Sequence, residues 1–229
     1  MKDVRYLGKD CPAHLTWKVL ENAHSKFLKE EPRDAIYIIS SKLVKENWNN
    51  LRELSSTLGV LLSIWNSTFY RYGILDYELI QKSLIRHKKK LDQFRHRRIS
   101  SLMENEKVSI EAIYVDFLLS LAAKGRNGRK NEGKVVYSPV STGKALHLLC
   151  PDFFPLWDDN IAISYGCKWN STKTSFHSYW RFLMICKKQV LALNVPEEVS
   201  RKPTEIGLLK LIDEFNYLCF TKKDHPEGK

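Results

Sequence analysis

Residues 136–166 have the types and spacing to bind a phosphate and to present a carboxylate at a helix start. Gly143 and Lys144 stand where a turn is expected to lead into an apolar helix, and free backbone amides at such a start bind phosphate groups. A proline-bounded connector follows, and the acidic pair Asp158 and Asp159 opens the next predicted helix. Either aspartate suits the N-cap, where a side-chain oxygen accepts a backbone N–H.

The order of these residues resembles the core of the helix-hairpin-helix superfamily of DNA glycosylases. Members carry a glycine-containing turn, in some a lysine that enters the second helix, an apolar run, and then an aspartate. Residues 141–149 resemble the turn and second helix, and residues 157–162 resemble the aspartate segment. Ile161 stands three residues after Asp158, and this register favours Asp158 over Asp159 as the catalytic carboxylate. The turn is poorer in glycine than is usual in the superfamily, and no iron–sulfur cysteine loop follows the aspartate.

The resemblance implies cleavage of an N-glycosidic bond, during which positive charge builds on the sugar. It gives Asp158 the role of stabilising that charge or of activating the nucleophile. It gives Lys144 the role of a neutral amine that attacks the sugar and forms a Schiff base, which nicks the strand. Without these roles, Asp158 is a plain N-cap and Lys144 is a phosphate contact or a solvated lysine. If Lys144 alone lacks its role, water is the nucleophile of a monofunctional glycosylase.

A base in duplex DNA must be flipped into a pocket, where aromatic faces stack on it and polar groups read its edge. Residues 65–72 have suitable types, and Asn66 and Tyr70 share a helical face at spacing i, i+4. Either of them could read the base or fill the gap in the duplex. Trp157, beside the aspartate, is a stacking candidate, and His147, on the helix of the lysine, is a pocket candidate. The alternative is that the aromatic residues and His147 lie in the protein core, with tyrosine hydroxyls at the surface.

The elements that must position these residues are helical nearly throughout. Apolar residues recur at helical spacing from Leu15 to Phe220, and no run keeps the period of two that indicates a half-buried strand. The sequence predicts an all-α helical bundle of two small lobes, with a helix-hairpin-helix-like element and a cleft between the lobes. One glycosylase-like domain is expected over 1–229, with lobes of roughly 30–125 and of 1–29 plus 126–229.

The positive charge of the chain is concentrated in two segments. Residues 86–98 hold seven Lys/Arg against one Asp, and residues 124–134 hold five Lys/Arg against one Glu, so together they carry +10 of the net +11. Concentrated positive charge favours a polyanionic partner, although a solvated helical face has the same composition. The predicted contacts to the DNA backbone are Arg86, Lys88, Lys89, Lys90, Arg95, Arg97, Arg98, Lys124, Arg126, Arg129 and Lys130, with Thr142 and Gly143 at the helix start.

The composition excludes several other classes of protein. An apolar content of 43% and an aromatic content of 11% exclude a disordered chain. No apolar run approaches the roughly 18 residues that span a bilayer, and the first residues lack the apolar stretch of a signal peptide. Five cysteines without a CxxC pair predict reduced thiols rather than disulfides or a zinc site. We expect neither a metal nor a cofactor.

The sequence therefore predicts a cytoplasmic, monomeric DNA glycosylase that acts on duplex DNA with a flipped base. In a bacterium it would be associated with the nucleoid; no membrane and no obligate protein partner are expected. Oxidised purines, alkylated bases and the modified pyrimidines of phage DNA are all open as substrates, and the last would mean defence rather than repair. The alternatives are a non-catalytic nucleic-acid-binding module and an interaction protein that docks on an acidic partner or a membrane.

Overall fold

A computed structural model describes residues 15–31, 34–71, 73–125, 132–171, 174–193, 195 and 206–222. Within these residues the chain is mostly helical, with ten α-helices and one small three-stranded sheet, so the predicted helical fold class is confirmed. None of the helices in this part of the chain combines the length and the apolar character that a membrane crossing requires.

The α-helices in chain order are α1 (Trp17–Glu30), α2 (Ala35–Glu46), α3 (Leu51–Trp65), α4 (Ser67–Tyr70), α5 (Tyr77–Arg95), α6 (Lys107–Ser120), α7 (Pro139–Leu149), α8 (Asp159–Ser164), α9 (Ser175–Ala192) and α10 (Leu208–Asn216). The strands are β1 (Gly73–Ile74), β2 (Ala123–Gly125) and β3 (Val135–Val136). Two 3₁₀ turns, Ile99–Ser101 and Glu104–Glu106, and a π-helix, Tyr217–Lys222, complete the described elements.

The chain divides into two compact units. We call them the terminal unit (Met1–Asp34, Arg97–Leu102 and Pro151–Lys229) and the central unit (Ala35–His96 and Met103–Cys150). The predicted lobe boundary at residue 125 is therefore wrong, because α7 belongs to the central unit. Nine of the eleven residues of α7 are buried, and the helix packs against α2, α3 and α6.

Helices α3 and α5 pack closely in the central unit. Asn50 caps α3 and Asp76 caps α5, each with a side-chain oxygen that accepts a backbone N–H three residues on. Gly59 in α3 lies so close to the ring of Tyr77 that a Cβ atom there would overlap the ring. The buried apolar residues follow the helical period: Leu54, Leu58, Leu61 and Leu62 in α3, and Ile80, Leu84, Leu91 and Phe94 in α5.

The sheet of the central unit is antiparallel in the order β1-β2-β3. Strands β2 and β3 pair as a hairpin that connects α6 to α7, with Ala123 opposite Val136. The predicted turn at Gly143 is wrong, because this glycine lies inside α7. The helix begins earlier, at Pro139, with Ser138 as its N-cap, and both residues are typical helix-start signals.

In the terminal unit, α1 packs against α10 through its buried face, which includes Leu20, Ala23 and Phe27. Helix α10 continues directly into the π-helix, whose i→i+5 bonding makes a wider turn than that of an α-helix. The π-helix in turn contacts α8. The aromatic residues Phe176, Tyr179 and Phe182 of α9 supply a large part of the core of this unit.

Candidate active site

Asp158 is the N-cap of α8, one of the two positions that the sequence allowed for the cap. Its backbone is extended, and its Oδ1 accepts a hydrogen bond from the backbone N–H of Ile161 at 2.8 Å. Its Oδ2 accepts a second hydrogen bond from the hydroxyl of Thr221 at 2.9 Å. The side chain is half-buried. Both carboxylate oxygens are therefore held by donors from two different elements, α8 and the π-helix.

Asp159 is the first residue of α8 and is exposed. Partial loss of water around its carboxyl group and the neighbouring charge of Asp158 raise the pKa of Asp159, and Lys168 opposes this shift. The two adjacent carboxyl groups therefore differ in their surroundings. Asp158 is fixed by two donors, whereas partial loss of water and the charge of Asp158 favour the protonated form of Asp159.

Trp157 lies in the core of the terminal unit, with 1% of its surface exposed. Its ring packs against three aromatic rings, with centroid distances of 4.8 Å to Trp169, 4.9 Å to Tyr179 and 5.9 Å to Phe182. The predicted stacking role of Trp157 is contradicted, because no face of its ring is accessible to a base. Its contribution is to anchor the connector that leads into Asp158.

Lys144 is a half-buried residue of α7 in the central unit. Its Nζ donates a hydrogen bond to the backbone carbonyl of Trp65 at 3.0 Å and lies 4.8 Å from the centroid of the same indole ring. A carbonyl acceptor and an aromatic face both stabilise the ammonium form. The contacts observed for Lys144 thus favour a positioned cation over the neutral amine that a nucleophile requires.

The start of α7 is buried and engaged within the central unit. The hydroxyl of Thr142 donates to the carbonyl of Ser138 at 3.0 Å, and Thr142 and Gly143 are both buried. Their predicted contacts to the DNA backbone are therefore contradicted. Asn66 is half-buried, and its Nδ2 donates to the hydroxyls of Ser141 at 2.7 Å and Ser138 at 3.3 Å. Asn66 thus joins the end of α3 to the start of α7.

Two further candidates for a base pocket are core residues. Tyr70 is 6% exposed and donates its hydroxyl to the carbonyl of Leu121 at 3.0 Å. Burial raises the pKa of Tyr70 to about 12, although a hydrogen bond with Ser141 acts in the opposite direction. His147 is fully buried, with its Nε2 3.3 Å from the hydroxyl of Tyr37. The full burial of His147 contradicts its predicted role as a pocket residue. Tyr70 lines a cavity beside the end of α3, but with its hydroxyl engaged and 6% of its surface exposed it offers a base little contact.

The Tyr70→Phe variant tests the buried hydroxyl. We expect a loss of about 1–2 kcal/mol in the free energy of unfolding at pH 7, because the carbonyl of Leu121 loses its donor. Above pH 10 the unfolded wild type loses its phenolic proton before the folded form does, which destabilises the wild type by up to about 1.4 kcal/mol per pH unit. The difference between the two proteins should therefore narrow from pH 10 to pH 12 in urea unfolding. A constant difference across this range would contradict the assignment.

Several cations of the first basic segment are engaged with residues of the central unit. Lys88 Nζ lies 4.4 Å and Arg95 Cζ 4.0 Å from the centroid of the Trp48 ring. Asp92 accepts hydrogen bonds from Lys88 Nζ at 2.6 Å and from Trp48 Nε1 at 2.8 Å. If Lys88 and Arg95 bound the DNA backbone as predicted, they would have to give up these contacts with Trp48 and Asp92.

Arg86 and Arg97 also have partners within their own units. Arg86 pairs with Asp116 at 2.6 Å, and His87 shares the same carboxylate at 3.0 Å. Arg97 donates to the carbonyl of Ser101 at 2.7 Å. Arg86 nevertheless keeps 64% of its side chain exposed, so its charge is still accessible to solvent.

The remaining basic candidates fall into two groups. Those that are described and exposed are Lys89, Lys90, Arg98 and Lys124. Those that lie outside the described residues are Arg126, Arg129 and Lys130. Lys89 and Lys90 are sequence neighbours on α5 of the central unit, whereas Arg98 belongs to the terminal unit, and their contacts to DNA stay a prediction.

A cavity of about 390 Å³ lies in the central unit beside the aromatic segment at the end of α3. Its lining includes the hydroxyl residues Ser63 and Ser67, the exposed cation Arg71 and the ring of Tyr77. Sequence analysis named Asn66 and Tyr70 from this segment. Tyr70 lines the cavity, whereas the side chain of Asn66 instead binds the start of α7. The residue types of the segment indicated a pocket. Which of its residues line the cavity depends on the directions of their side chains, which the sequence does not show.

Thr221 is the contact of Asp158 that sequence analysis missed. It is separated from the aspartate by 63 residues, and no pattern around it marks it as functional. In the part of the chain that the structure describes, no group of three His, Cys, Asp or Glu side chains is arranged to hold a metal ion. Comparisons with known protein families, curated protein sequences and solved structures give no match.

Proposed function

We propose that this protein is a DNA glycosylase that excises a damaged or modified base, with Asp158 as its catalytic carboxylate. The observation that carries the proposal is the double anchoring of Asp158, by the backbone amide of Ile161 and the hydroxyl of Thr221. A charge that is fixed before the reaction stabilises a transition state without reorganisation. The resemblance to known glycosylases adds support through the order of an apolar helix, a connector and a capping aspartate, without the turn at Gly143, which lies inside α7.

The proposed reaction is hydrolysis at the sugar carbon that bears the base. The bond from this carbon to the base nitrogen breaks, and the electron pair leaves with the base. Positive charge then grows on the sugar, and the carboxylate of Asp158 stabilises it. A water oxygen forms the new bond to the carbon and gives its proton to solvent or to the carboxylate. The departing base takes a proton from solvent, so the products are the neutral free base and an abasic site in the DNA.

The exposed lysines of the central unit fit the DNA component of this proposal. Lys89 and Lys90 are exposed neighbours on α5, and Lys124 is exposed on β2. Lysine side chains that neutralise phosphates give affinity that falls steeply with salt and depends little on sequence. These residues are assigned to the DNA backbone and take no part in the choice of base.

Water, rather than Lys144, is assigned as the nucleophile, because the carbonyl and the indole ring of Trp65 stabilise the ammonium form of Lys144. We therefore expect no covalent protein–DNA adduct when borohydride is added during base release. Denaturing electrophoresis of the borohydride-treated reaction measures this. An adduct that forms with wild type and disappears in Lys144→Gln would restore the role of Lys144 as nucleophile.

The proposal is tested by base release from defined duplexes. The full chain is incubated with duplexes that each carry one oxidised purine, alkylated base or modified pyrimidine, and the free base is measured by mass spectrometry. We expect release from at least one class, together with alkali-labile abasic sites in the same strand. If no duplex releases a base above a protein-free control, the chain is not a glycosylase for these classes and the proposal is abandoned.

A non-catalytic nucleic-acid-binding module is the second candidate. It is favoured by the burial of three predicted pocket residues, Tyr70, His147 and Trp157, while the lysines of α5 stay exposed. This candidate needs only the basic surface. It expects salt-sensitive DNA binding that Lys89→Gln/Lys90→Gln weakens, with no free base from any duplex. Base release would exclude it.

A further inference from the structure

The π-helix that follows α10 brings a hydroxyl to the candidate catalytic carboxylate. Thr221 is its fifth residue, and the Thr221 hydroxyl lies 2.9 Å from Asp158 Oδ2. Each residue of a π-helix turns the chain through a smaller angle than a residue of an α-helix. Residues late in the π-helix therefore face a different direction from those of a continued α-helix. The wider turn therefore determines where the hydroxyl of Thr221 points.

The π-helix is held on both sides within the terminal unit. The ring of Tyr217 packs edge-on against Phe27 of α1, with centroids 5.9 Å apart. The ring of Phe220 packs edge-on against Tyr165 at the end of α8, with centroids 5.8 Å apart. These two contacts fix the segment that leads into Thr221, and one of them reaches the end of the same short helix that Asp158 caps.

The hydroxyl of Tyr165 strengthens this connection. It donates to Oδ1 of Asn216, the last residue of α10, at 2.7 Å, and accepts a hydrogen bond from Gln189 Nε2 at 3.1 Å. Asn216 is 1% exposed, so this bond lies in the core. The start of the π-helix and the end of α8 are therefore joined by buried polar and aromatic contacts, which sets the distance from Thr221 to Asp158.

We propose that Thr221 is a positioning residue for the reaction, which orients the carboxylate of Asp158 toward the sugar on which positive charge develops. The inference rests on the proposed glycosylase function. The N-cap bond to the amide of Ile161 holds one carboxylate oxygen, and a single bond leaves the carboxyl group free to rotate about that contact. The second bond, from Thr221, removes this freedom. A charge that is fixed in advance is more effective than one that must reorient.

Two variants separate the hydroxyl from the shape of the side chain. Thr221→Val keeps the volume and branching and removes the donor, whereas Thr221→Ser keeps the donor. We expect Thr221→Val to lower kcat for base release about tenfold with an unchanged KM, as for the loss of a hydrogen bond to a charged group. Thr221→Ser should retain kcat within about twofold. Because valine fits the same space, circular dichroism and urea unfolding should show both variants folded.

Binding to two abasic duplexes gives a readout that needs no knowledge of the base. One duplex carries a pyrrolidine ring in place of the sugar, which is cationic, and the other carries a neutral tetrahydrofuran ring. The wild type should bind the cationic duplex more tightly, because a carboxylate that stabilises a positive transition state also binds a positive analogue. Thr221→Val should lose most of this preference, Thr221→Ser should keep it, and Asp158→Asn should abolish it.

The outcomes distinguish this inference from the function on which it rests. If Asp158→Asn loses turnover and the cationic preference while Thr221→Val keeps both, the positioning role is wrong and the glycosylase proposal stands. If the wild type shows neither base release nor a cationic preference, the glycosylase proposal fails and the role of Thr221 fails with it. Equal losses in Thr221→Val and Thr221→Ser would also overturn the role, because the retained hydroxyl should rescue the serine variant.

Discussion

Replacing Asp158 with asparagine is expected to reduce base release by about 100-fold or more while the protein stays folded. Asparagine is a good N-cap and can accept the same hydrogen bond from the amide of Ile161, so α8 keeps its start. It differs from aspartate by the loss of one negative charge. The reduction in rate therefore measures the electrostatic and base roles of the carboxylate. In typical enzymes these roles accelerate the reaction about 10²–10⁴-fold, which is about 3–5 kcal/mol of activation free energy.

The matched control for this substitution is Asp159→Asn. It removes the same charge one residue along the chain, from an exposed side chain at the first position of α8. We expect single-turnover base release within about threefold of wild type, since nearby solvent screens an exposed charge. If both variants lose activity equally, the combined negative charge of the two aspartates supports the reaction. The assignment of the catalytic role to Asp158 alone is then wrong. If only Asp159→Asn loses activity, the register of the resemblance is off by one residue.

The capping position of Asp158 could be predicted from the sequence because it depends on local interactions. An aspartate that follows an extended connector and precedes a short apolar run caps a helix through an amide three residues away. The helical class was predictable for the same reason, since the apolar residues of α3 and α5 recur at the spacing that places them on one buried helical face. These features need no knowledge of which distant residues pack against them.

The predicted turn at Gly143 failed because two stronger local signals precede it. Ser138 and Pro139 form a standard helix start, and the glycine then falls in the second turn of α7, where its destabilising effect of about 1 kcal/mol is tolerated. The small side chain also suits a helix in which nine of eleven residues are buried. A glycine beside a lysine resembles a hairpin turn in residue type, but the helix-start signal at Ser138, five residues earlier, determines the structure.

The predicted pocket residues failed for a different reason. Tyr70, His147 and Trp157 have polar and aromatic groups that serve equally well in a pocket and in a core. The choice between the two depends on partners that are distant in sequence, such as the carbonyl of Leu121, 51 residues from Tyr70. The same holds for Arg86, whose partner Asp116 lies 30 residues away. Residue type and spacing contain no information about such partners.

A buried charge cluster at the junction of α1 and α10 carries the largest expected effect on stability. Lys210 is 3% exposed, and its Nζ lies 3.1 Å from Asp34, 3.6 Å from Asp213 and 3.6 Å from Glu214. The far oxygen of Glu214 lies 2.7 Å from His24 Nδ1. One ammonium group therefore offsets three carboxylates, two of which are near the surface and one of which, Glu214, is fully buried.

We expect Lys210→Met to lower the free energy of unfolding by about 3–5 kcal/mol at pH 7, the usual effect of removing one partner from a buried ion pair. Methionine fills a similar volume and keeps the contact with Phe27, whose ring lies 4.6 Å from Lys210 Nζ. The loss therefore comes from uncompensated negative charge. Lys42→Met is the control, because Lys42 pairs with Glu46 at the surface, with 74% of its side chain exposed. That variant should change stability by about 0.5 kcal/mol or less.

The pH dependence identifies the source of this loss. Lack of water raises the pKa of Glu214, and the ammonium of Lys210 opposes that shift. Without Lys210 the pKa of Glu214 rises further above its value in the unfolded chain, so the folded variant binds a proton more tightly and gains stability relative to wild type as pH falls. The deficit of Lys210→Met in urea unfolding should therefore be smaller at pH 5 than at pH 8, and Lys210→Met/Glu214→Gln should recover part of it at pH 8. A deficit that is independent of pH, with no recovery in the double variant, would mean that lost packing rather than charge destabilises the protein.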